Sequence, residues 1–360
     1  MKIIHCSDLH LDSKMEANLD KEKARQRKNE ILLSFQNMID FANENDVKII
    51  IIAGDLFDKN KVSVKAKNIV KDAILAHPNI DFIYLKGNHD EESFIIDEVP
   101  ENLKLFNGNK WETYRYENIV ISGIEFGEKD NYEIYKTLML NQNDFNIVVL
   151  HGQEANYADK KDKTEIINLK ELKNKNIDYL ALGHIHKYKM EKLDNRGMYC
   201  YSGCLEGRGF DECGDKGFVL LNIENNKIDT QFIKNSTRNL EEIEVDITDT
   251  LTTTEVEMKI DEKIKDISRE NLIKIVLTGK VAINSERDIE YLLKKYNGQF
   301  YFIKIYDKTT LKINYMDYEN DASLKGEFIR MVLNEKLTDE EKKQIIITGI
   351  RALSGEDIGD

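Results

Sequence analysis

The stretch DFIYLKGNHD, residues 81–90, joins an apolar run to a polar tetrapeptide. The run Asp81–Leu85 has the composition of a buried strand. The tetrapeptide Gly87–Asp90 then supplies an amide, an imidazole and a carboxylate in immediate succession. In an α/β fold, ligands bind beyond the carboxyl ends of strands, so this position favours a functional site. The alternative is a polar turn whose histidine has its hydrogen bonds satisfied, and this stretch alone does not decide between the two.

Four more apolar runs end in residue types that bind metals, mostly beside a glycine that allows the backbone to approach closely. The order strand, helix, strand predicts parallel strands, whose carboxyl ends meet at one edge of a sheet. Where two such residues stand two positions apart, we expect both side chains to face the same way on extended backbone. Five of the seven histidines fall in these motifs, whereas His5 is predicted to be structural. The predicted ligands are Asp8, His10, Asp55, Asn88, His151, His184 and His186.

These residue types favour a site for two metal ions. Two carboxylates, one amide and four imidazoles form a mixed oxygen and nitrogen set that suits manganese, iron or zinc. Seven ligands serve two ions if one residue bridges them, and Asp55 is the natural bridge because a carboxylate has two oxygens. The charge of two divalent ions exceeds that of the carboxylates, so an anionic phosphate can bind, and the neutral Asn88 preserves this surplus. His89 is then free to stabilise the transition state or to protonate a leaving oxygen, with Asp90 fixing its tautomer.

Length and composition limit the interpretation. A chain of 360 residues favours two domains. The net charge of -14 argues against a protein that coats a polyanion by bulk attraction, though not against an enzyme whose metals meet phosphate locally. Four cysteines without zinc-ribbon spacing indicate a reduced, cytoplasmic chain. The start of the chain turns polar too soon for a signal peptide, and no apolar run reaches membrane-spanning length.

In their order along the chain, the five motifs resemble those of the calcineurin-like metallophosphoesterases, over residues 1–190. The resemblance implies an α/β fold, a four-layer αββα sandwich in which two packed mixed sheets carry helices on the outside. It also implies two divalent metal ions at the strand ends. One ion would be held by Asp8, His10, Asp55 and His186, and the other by Asp55, Asn88, His151 and His184.

Softer features resemble the SbcD-type DNA exonucleases, and most closely their YhaO-like group. The SbcD-type features are SDLHL at 7–11, GDLFD at 54–58, and the tail with YSG at 201–203 and KGF at 216–218. The YhaO-like group is indicated by SLKGEF at 323–328 and GIRALSGED at 349–357. This resemblance implies a DNA exonuclease, with single-strand endonuclease activity as an option, that uses manganese or alternatively iron or zinc. It further implies a homodimer that works with an SMC-like coiled-coil ATPase of the SbcC type in nucleoid-associated repair of double-strand breaks. Asp58 departs from archaeal and eukaryotic relatives, which have histidine there, so a phosphate-positioning role for it is open.

Basic residues near the motifs are candidate contacts to a DNA backbone. Lys160, Lys161 and Lys163 belong to segment 153–165, which follows His151 and should therefore lie near the metals. A plain solvated loop is the alternative for this segment. Arg208, which stands among glycines, is a weaker candidate of the same kind.

The second half of the chain has a different pattern. A hairpin within 218–233 should complete the sandwich, so we predict a nuclease domain over residues 1–237. Alternating strands and helices over 238–318 predict a small α/β domain, which by resemblance caps the active site. Residues 319–360 are predicted to be helical. Thr338 and Glu341 form a capping-box pattern, which predicts the start of one helix there. By resemblance these helices dock on the ATPase, and the alternative is that they pack on their own domain.

Two other functions stay open on the sequence alone. The first is a metallophosphoesterase that acts on a small phosphodiester or phosphomonoester, although such a substrate needs neither a cap domain nor a helical tail. The second is a non-catalytic scaffold on the same fold. A scaffold should have lost metal ligands, and none of the expected ligands is missing here.

Overall fold

The chain divides into two compact units, residues 1–240 and 241–360. Within the described residues, no helix combines the length and the apolar character that crossing a membrane requires. The computed structural model describes residues 1–13, 15, 19–58, 62–90, 99–106, 108, 110–125, 132–154, 166–282, 285–312, 318 and 321–353.

The first unit alternates strands with helices. Its elements in chain order are β1 (Lys2–Cys6), α1 (Lys21–Glu44), β2 (Ile49–Ala53), α2 (Val64–Ala76), β3 (Asp81–Leu85), β4 (Leu103–Leu105), β5 (Glu112–Tyr116), β6 (Ile119–Gly123), α3 (Tyr132–Thr137), β7 (Phe145–His151), β8 (Gln153–Glu154), β9 (Ile166–Ile167), α4 (Leu169–Leu172), β10 (Tyr179–Gly183), β11 (Lys189–Lys192), β12 (Met198–Tyr201), β13 (Gly217–Glu224) and β14 (Lys227–Lys234).

Local sequence explains the elements that matter most for the site. Strand β2 reads IIIIA and is buried at all five positions, as expected of β-branched residues in a strand covered on both faces. Helix α1 begins after Asp20, whose carboxylate accepts the backbone N–H groups of Glu22 and Lys23. Such a cap contributes about 1 kcal/mol, which Asp20→Ala would remove. The buried stripe of α1, including Phe35 and Met38, then packs this helix onto the sheet that contains β2.

Two six-stranded mixed sheets form the body of the first unit. Their strand orders are β14-β13-β1-β2-β3-β4 and β11-β12-β10-β7-β6-β5. In the first sheet β1 to β4 are parallel and the β13–β14 hairpin continues it antiparallel. In the second, β12, β10, β7 and β6 are parallel, with antiparallel strands at both edges.

Three hydrophobic clusters show how the layers stack. One lies between the two sheets and contains residues such as Ile51 and Val149. A second packs α1 and α2 on the outer face of the first sheet. The third includes Tyr135 of α3 and Leu172 of α4, on the outer face of the second sheet. The predicted four-layer sandwich of two mixed sheets is therefore confirmed, and the predicted hairpin does complete its first sheet.

The second unit is a smaller α/β arrangement. A three-stranded sheet of order β15-β16-β18, with β16 and β18 parallel, is covered by α5 and α6 through a common apolar cluster. The predicted succession of strand, helix, strand, helix and strand is thus confirmed. Its elements are β15 (Leu240–Asp246), α5 (Thr253–Ile264), β16 (Leu272–Thr278), β17 (Lys280–Ala282), α6 (Ile289–Tyr296), β18 (Phe302–Asp307), β19 (Thr310–Lys312), α7 (Leu324–Leu333) and α8 (Asp339–Leu353).

The last two helices pack on each other. Ile329 and Val332 of α7 meet Ile346 and Ile350 of α8 in a small cluster of their own. The capping box predicted at the start of α8 is confirmed, because Thr338 and Glu341 exchange backbone-to-side-chain hydrogen bonds in both directions. Docking of these helices on an ATPase stays a prediction.

Candidate metal centre

The predicted ligands come together in the first unit, at or just beyond the carboxyl ends of β1, β2, β3, β7 and β10. Strands β1 to β3 are mutually parallel, and so are β7 and β10, so the residues after them share an edge. Three groups of imidazole and carboxylate side chains form there, and within each group the donor atoms lie within 4.8 Å of one another. The groups are Asp8–His10–His186, Asp55–His151–His184 and His10–Asp58–His89.

The first group, Asp8 with His10 and His186, is called here the His186 end of the site. Nε2 of His10 lies 3.1 Å from Nε2 of His186, which in turn lies 3.9 Å from Oδ1 of Asp8. Nδ1 of His10 is buried and has no hydrogen-bond partner among the described residues. Burial and the nearby Arg208 hold the pKa of His10 well below its usual value. The His10 ring is therefore neutral, as a metal ligand must be.

The second group with Asn88 is called the His151 end. Nε2 of His151 lies 3.0 Å from Oδ1 of Asn88 and 3.4 Å from Oδ2 of Asp55. The rings of His151 and His184 stand nearly perpendicular, with centroids 5.6 Å apart. Nδ1 of His151 lies 2.9 Å from the carbonyl oxygen of Ala53, and because a carbonyl only accepts, Nδ1 carries the proton. Burial lowers the pKa of His151, but Asp55 raises it to about 9, so a metal ion has to displace a proton from Nε2.

Asp55 is the carboxylate that reaches both ends. Its Oδ2 lies 3.7 Å from Nε2 of His10 and 3.4 Å from Nε2 of His151. Its other oxygen accepts the backbone N–H of His89 at 2.8 Å. Burial raises the pKa of Asp55, but the two imidazoles outweigh it and hold this pKa below its usual range. An ionised carboxylate between the two ends is what a bridging ligand requires.

The backbone at the ligand positions corrects one expectation. Asp8, His10, Asp55 and His184 have φ angles of 53°, 43°, 53° and 101°, so the paired ligands do not stand on extended backbone. The strands end just before these residues, and the chain turns through left-handed conformations. Backbone bonds between segments hold the turns, since Asp8 N donates to the Gly54 carbonyl and His10 N to that of Asp55, both at 3.0 Å. Strained non-glycine residues of this kind cluster at functional sites.

Two glycines leave room for the His151 ring. A Cβ built on Gly54, whose φ is 91°, would lie 2.1 Å from Nδ1 of His151. A Cβ on Gly183 would lie 2.7 Å from the same nitrogen and 1.9 Å from the carbonyl oxygen of Ala53. Both positions therefore exclude every other residue, because the ring and its carbonyl partner occupy the space of a side chain.

The partner of His89 differs from the one expected. Nδ1 of His89 lies 2.9 Å from Oδ1 of Asp58. The carboxylate of Asp90 instead accepts the backbone N–H groups of Leu56, Phe57 and Gly87 at 3.2, 2.9 and 3.0 Å. The prediction that Asp90 fixes the tautomer of His89 is thus corrected. Asp58 takes that place, and Asp90 ties the loop after β3 to the loop after β2.

One carboxylate of the site, that of Glu212, was not predicted from the sequence. Oε1 of Glu212 lies 2.6 Å from Nδ1 of His186, and the guanidinium of Arg208 donates to the same carboxylate through Nη2 at 2.7 Å. Burial raises the pKa of Glu212, but these two partners outweigh it and hold this pKa far below its usual range. No motif marks Glu212, because it follows no strand end. Its role emerges only from its distance to His186.

The remaining predictions concern residues away from these contacts. Lys160, Lys161 and Lys163 lie outside the described residues. His5 is buried between the sheets, where its Nδ1 lies 2.9 Å from the hydroxyl of Tyr179, which agrees with the structural role predicted for it. Burial lowers the pKa of His5 to about 3, so this ring is neutral at physiological pH.

The chemistry of the donor set fits two divalent cations. Each end joins imidazole nitrogens to a carboxylate, and the shared Asp55 lies within 4 Å of a ring nitrogen at each end. At the His186 end, two ring nitrogens 3.1 Å apart face each other, which a cation satisfies better than a single shared proton does. The set contains nitrogen and oxygen but no thiolate, as manganese, iron or zinc would accept.

Comparison with known proteins agrees with this site. The sequence profile of the calcineurin-like phosphoesterase family matches residues 1–188. The chain is 27% identical over 295 residues to Uncharacterized metallophosphoesterase YhaO of Bacillus subtilis, covering 78% of this chain and 72% of that protein.

Two further relatives match at similar identity. DNA double-strand break repair protein Mre11 of Methanocaldococcus jannaschii is 26% identical over 376 residues, covering 96% of this chain and 97% of that protein. A subunit of nuclease SbcCD from Staphylococcus epidermidis is 25% identical over 320 residues, covering 78% of this chain and 79% of that protein. The family match spans more than half of the chain and includes all seven predicted ligands. The chain therefore belongs to the calcineurin-like phosphoesterase family.

Proposed function

We propose that this protein is a metal-dependent phosphodiesterase that hydrolyses DNA as an exonuclease in the processing of double-strand breaks. The observation that carries the proposal is the complete ligand set, gathered at two ends around the shared Asp55. The choice of DNA is supported by relatives whose names state DNA repair and nuclease roles. The similarity to the Mre11 protein covers 96% of the chain, so it includes the second unit as well as the catalytic one.

The metal ions would be held by the residues of the two ends. Two divalent cations, manganese foremost, would supply positive charge to the phosphate and would lower the pKa of an attacking water. The protein's own part is to orient the ligands. Asp8, Asp55 and Asn88 present oxygens. His10, His151, His184 and His186 present ring nitrogens from two sheets that are packed against each other.

His89 is the group that we assign to the leaving oxygen. About a third of its side chain is exposed, so a substrate can reach the ring. Asp58 engages Nδ1, which leaves Nε2 to donate a proton to the oxygen that departs from phosphorus. The carboxylate stabilises the protonated ring before the transfer and keeps it correctly oriented.

Contacts to the DNA backbone are proposed for basic residues near the site. The guanidinium of Arg208 is close enough to lower the pKa values of His10 and Asp58, so its charge reaches the centre of the site. An arginine at this position suits a phosphate oxygen. Lys160, Lys161 and Lys163 stay candidates for the same role, on the basis of their position in the sequence alone.

The helices at the end of the second unit are proposed to bind an SMC-like coiled-coil ATPase of the SbcC type. α7 and α8 bury one face against each other, yet Leu324, Met331 and Ile345 remain 67%, 66% and 41% exposed. Apolar side chains on two adjoining helices are suitable for packing against a partner helix. A homodimer and a nucleoid-associated location in the cytoplasm complete the proposal.

The test is degradation of end-labelled single- and double-stranded DNA with added manganese, without and with the ATPase partner. Asp55→Ala and His89→Ala would be measured beside the unmodified protein. We expect metal-dependent degradation that both substitutions abolish, while His89→Ala still binds metal. Cleavage of bis-p-nitrophenyl phosphate without any cleavage of DNA would point to a small phosphodiester substrate instead. A folded protein that binds no metal would favour the scaffold function.

A further inference from the structure

We infer that Glu212 is a positioning residue of the metal centre, which fixes the ring and the tautomer of His186 for metal binding. The inference rests on the proposed metal-dependent function, since it gives His186 the role of a ligand. It concerns a residue that lies far from every strand-end motif in the sequence.

The contact dictates which ring nitrogen faces the site. Nδ1 of His186 lies 2.6 Å from Oε1 of Glu212. Nη2 of Arg208 also lies near Nδ1, at 3.2 Å, but it donates to the same Glu212 oxygen at the shorter distance of 2.7 Å. An ionised carboxylate accepts and does not donate, so the proton of the ring belongs on Nδ1. In the neutral ring Nε2 keeps its lone pair, and it lies 3.1 Å from Nε2 of His10 and 3.9 Å from Oδ1 of Asp8. A carboxylate behind a metal-binding histidine sets both its orientation and its basicity.

Glu212 is itself rigidly fixed. Only 4% of its side chain is exposed, and a buried carboxylate must be satisfied by donors. Arg208 supplies three, namely its backbone N at 2.7 Å, Nη2 at 2.7 Å and Nε at 3.1 Å. Together with His186 these donors leave Glu212 a single orientation. Because the Glu212 side chain cannot rotate, its hydrogen bond fixes the orientation of the His186 ring.

The segment that carries Glu212 is tied to the rest of the unit by a buried chain of charges. Nη2 of Arg27 donates one hydrogen bond to the carboxylate of Glu206, at 2.8 Å, and another to the carbonyl oxygen of Gly207, at 2.7 Å. Arg27 belongs to α1 and is almost completely buried. At the other end of the segment, Nζ of Lys216 donates to the backbone carbonyl of His186 at 2.8 Å. The segment 206–216 thus holds both the ring and the backbone of this histidine.

His186 needs such support more than its counterpart does. Its side chain is 26% exposed, whereas that of His151 is 4% exposed and packed between other groups. A partly exposed ring has alternative rotamers available, and each of them would withdraw Nε2 from the site. We therefore expect Glu212 to matter for metal affinity at the His186 end, and only there.

The experiment is a titration of the full-length protein with Mn²⁺, measured by equilibrium dialysis and elemental analysis. For Glu212→Gln we expect the dissociation constant of one of two ions to rise by roughly 10- to 100-fold, with the other unchanged within twofold. The matched control is Glu154→Gln, which removes an equally buried carboxylate whose ion-pair partner is Lys189, at 2.8 Å. The control should bind both ions as the unmodified protein does.

A second measurement does not depend on the folding of any Glu212 variant. Long-range ¹⁵N–¹H spectra of histidine-labelled, Zn²⁺-loaded protein report which ring nitrogen carries a proton, and His186→Gln assigns the signal. We expect a proton on Nδ1 of His186, shifted downfield by the carboxylate. Zinc bound through Nδ1, or unchanged Mn²⁺ affinity in Glu212→Gln, would overturn the inference while leaving the proposed function intact. An unmodified protein that binds no metal would overturn both.

Discussion

The two ends of the metal centre hold their histidines by different means. His151 faces a backbone carbonyl, that of Ala53, which belongs to the opposite sheet. His186 faces a side chain, that of Glu212, which belongs to a segment outside the strands of both sheets. The first contact exists as soon as the sheets pack, whatever the side chain at position 53. The second depends on one glutamate, so the two ends should respond differently to substitution.

The largest effect is expected where the ends meet. Asp55→Ala removes the carboxylate that reaches both ends, so we expect both metal ions to be lost. Hydrolysis of bis-p-nitrophenyl phosphate should fall by roughly 1,000-fold or more, since removal of a residue behind a single ligand already costs 10- to 100-fold. Elemental analysis after gel filtration measures the metal content. Asp40→Ala, on the exposed face of α1, is the control, and retention of one ion at full affinity in Asp55→Ala would contradict the shared role.

The His151 end can be broken through its backbone. In Gly54→Ala the new methyl group would lie 2.1 Å from Nδ1 of His151, at a φ of 91° that disfavours alanine. The ring has to move, so we expect the activity to fall by about 100-fold and one ion to be lost. The dialysis titration described above measures the second effect. Gly108→Ala is the control, because the nearest atoms to its Cβ among the described residues are the carbonyl oxygen and the Cβ of Glu125, at ordinary distances of 3.6 and 3.9 Å. Equal metal binding by both variants would contradict this account.

A substitution beside the two ends should separate catalysis from metal binding. Asp58→Asn keeps a hydrogen-bond acceptor for Nδ1 of His89 but removes the charge that stabilises the protonated ring. We expect kcat to fall by roughly 10- to 100-fold, less than the ~100- to 10,000-fold that a general acid itself contributes, with metal content unchanged. Multiple-turnover cleavage of a labelled oligonucleotide at saturating concentration measures kcat. If Asp90→Asn, compared at equal folded fraction, lowers kcat more than Asp58→Asn does, the assignment of Asp58 is wrong.

The smallest effect concerns a histidine that belongs to neither end. Burial lowers the pKa of His5 to about 3 in the folded state, against about 6.5 when unfolded. The unfolded chain binds the extra proton first, so the stability that the neutral ring contributes is present above pH 6.5 and is lost as the pH falls towards 3. Between pH 7.5 and 5 the loss is about 2 kcal/mol.

Urea unfolding of chelated protein at the two pH values measures this difference. The free energy of unfolding of His5→Gln should fall less than that of the unmodified protein, by about the same 2 kcal/mol. Identical losses in the two proteins would show that His5 is not the group responsible. Because chelation removes the metal ions, the difference between the two proteins reports the effect of His5 alone and not a change in metal binding.

Much of this architecture could be predicted from local sequence. Runs such as Ile49–Ala53 are buried on both faces, which leaves little choice but a strand, and the residue after each run then lies at the sheet edge. The positions of Asp55 and His151 follow from that alone. The orienting partners do not, because Glu212 and Asp58 meet His186 and His89 across 26 and 31 residues of chain. No periodicity or spacing records such distances.

The expectation about extended backbone at Asp8 and His10 shows a second limit. Side-chain alternation applies while a strand continues, and β1 ends at Cys6. Beyond that point the conformation is set by hydrogen bonds to the loop after β2, which the sequence of β1 does not contain. Propensity gives only a weak signal for the observed angles, because few non-glycine residues adopt them, although Asp and His do so more often than most.

Four ligands adopt left-handed conformations, namely Asp8, His10, Asp55 and His184. At these positions a more stable fold and a functional metal site require different residues. Each such residue costs about 1–3 kcal/mol of folding free energy, and glycine would relieve the strain at every one of these positions. Each of these substitutions by glycine would remove a metal ligand. A protein chosen only for thermal robustness would therefore drift away from its activity at these four positions, and the ligands mark where natural selection has accepted a less stable chain.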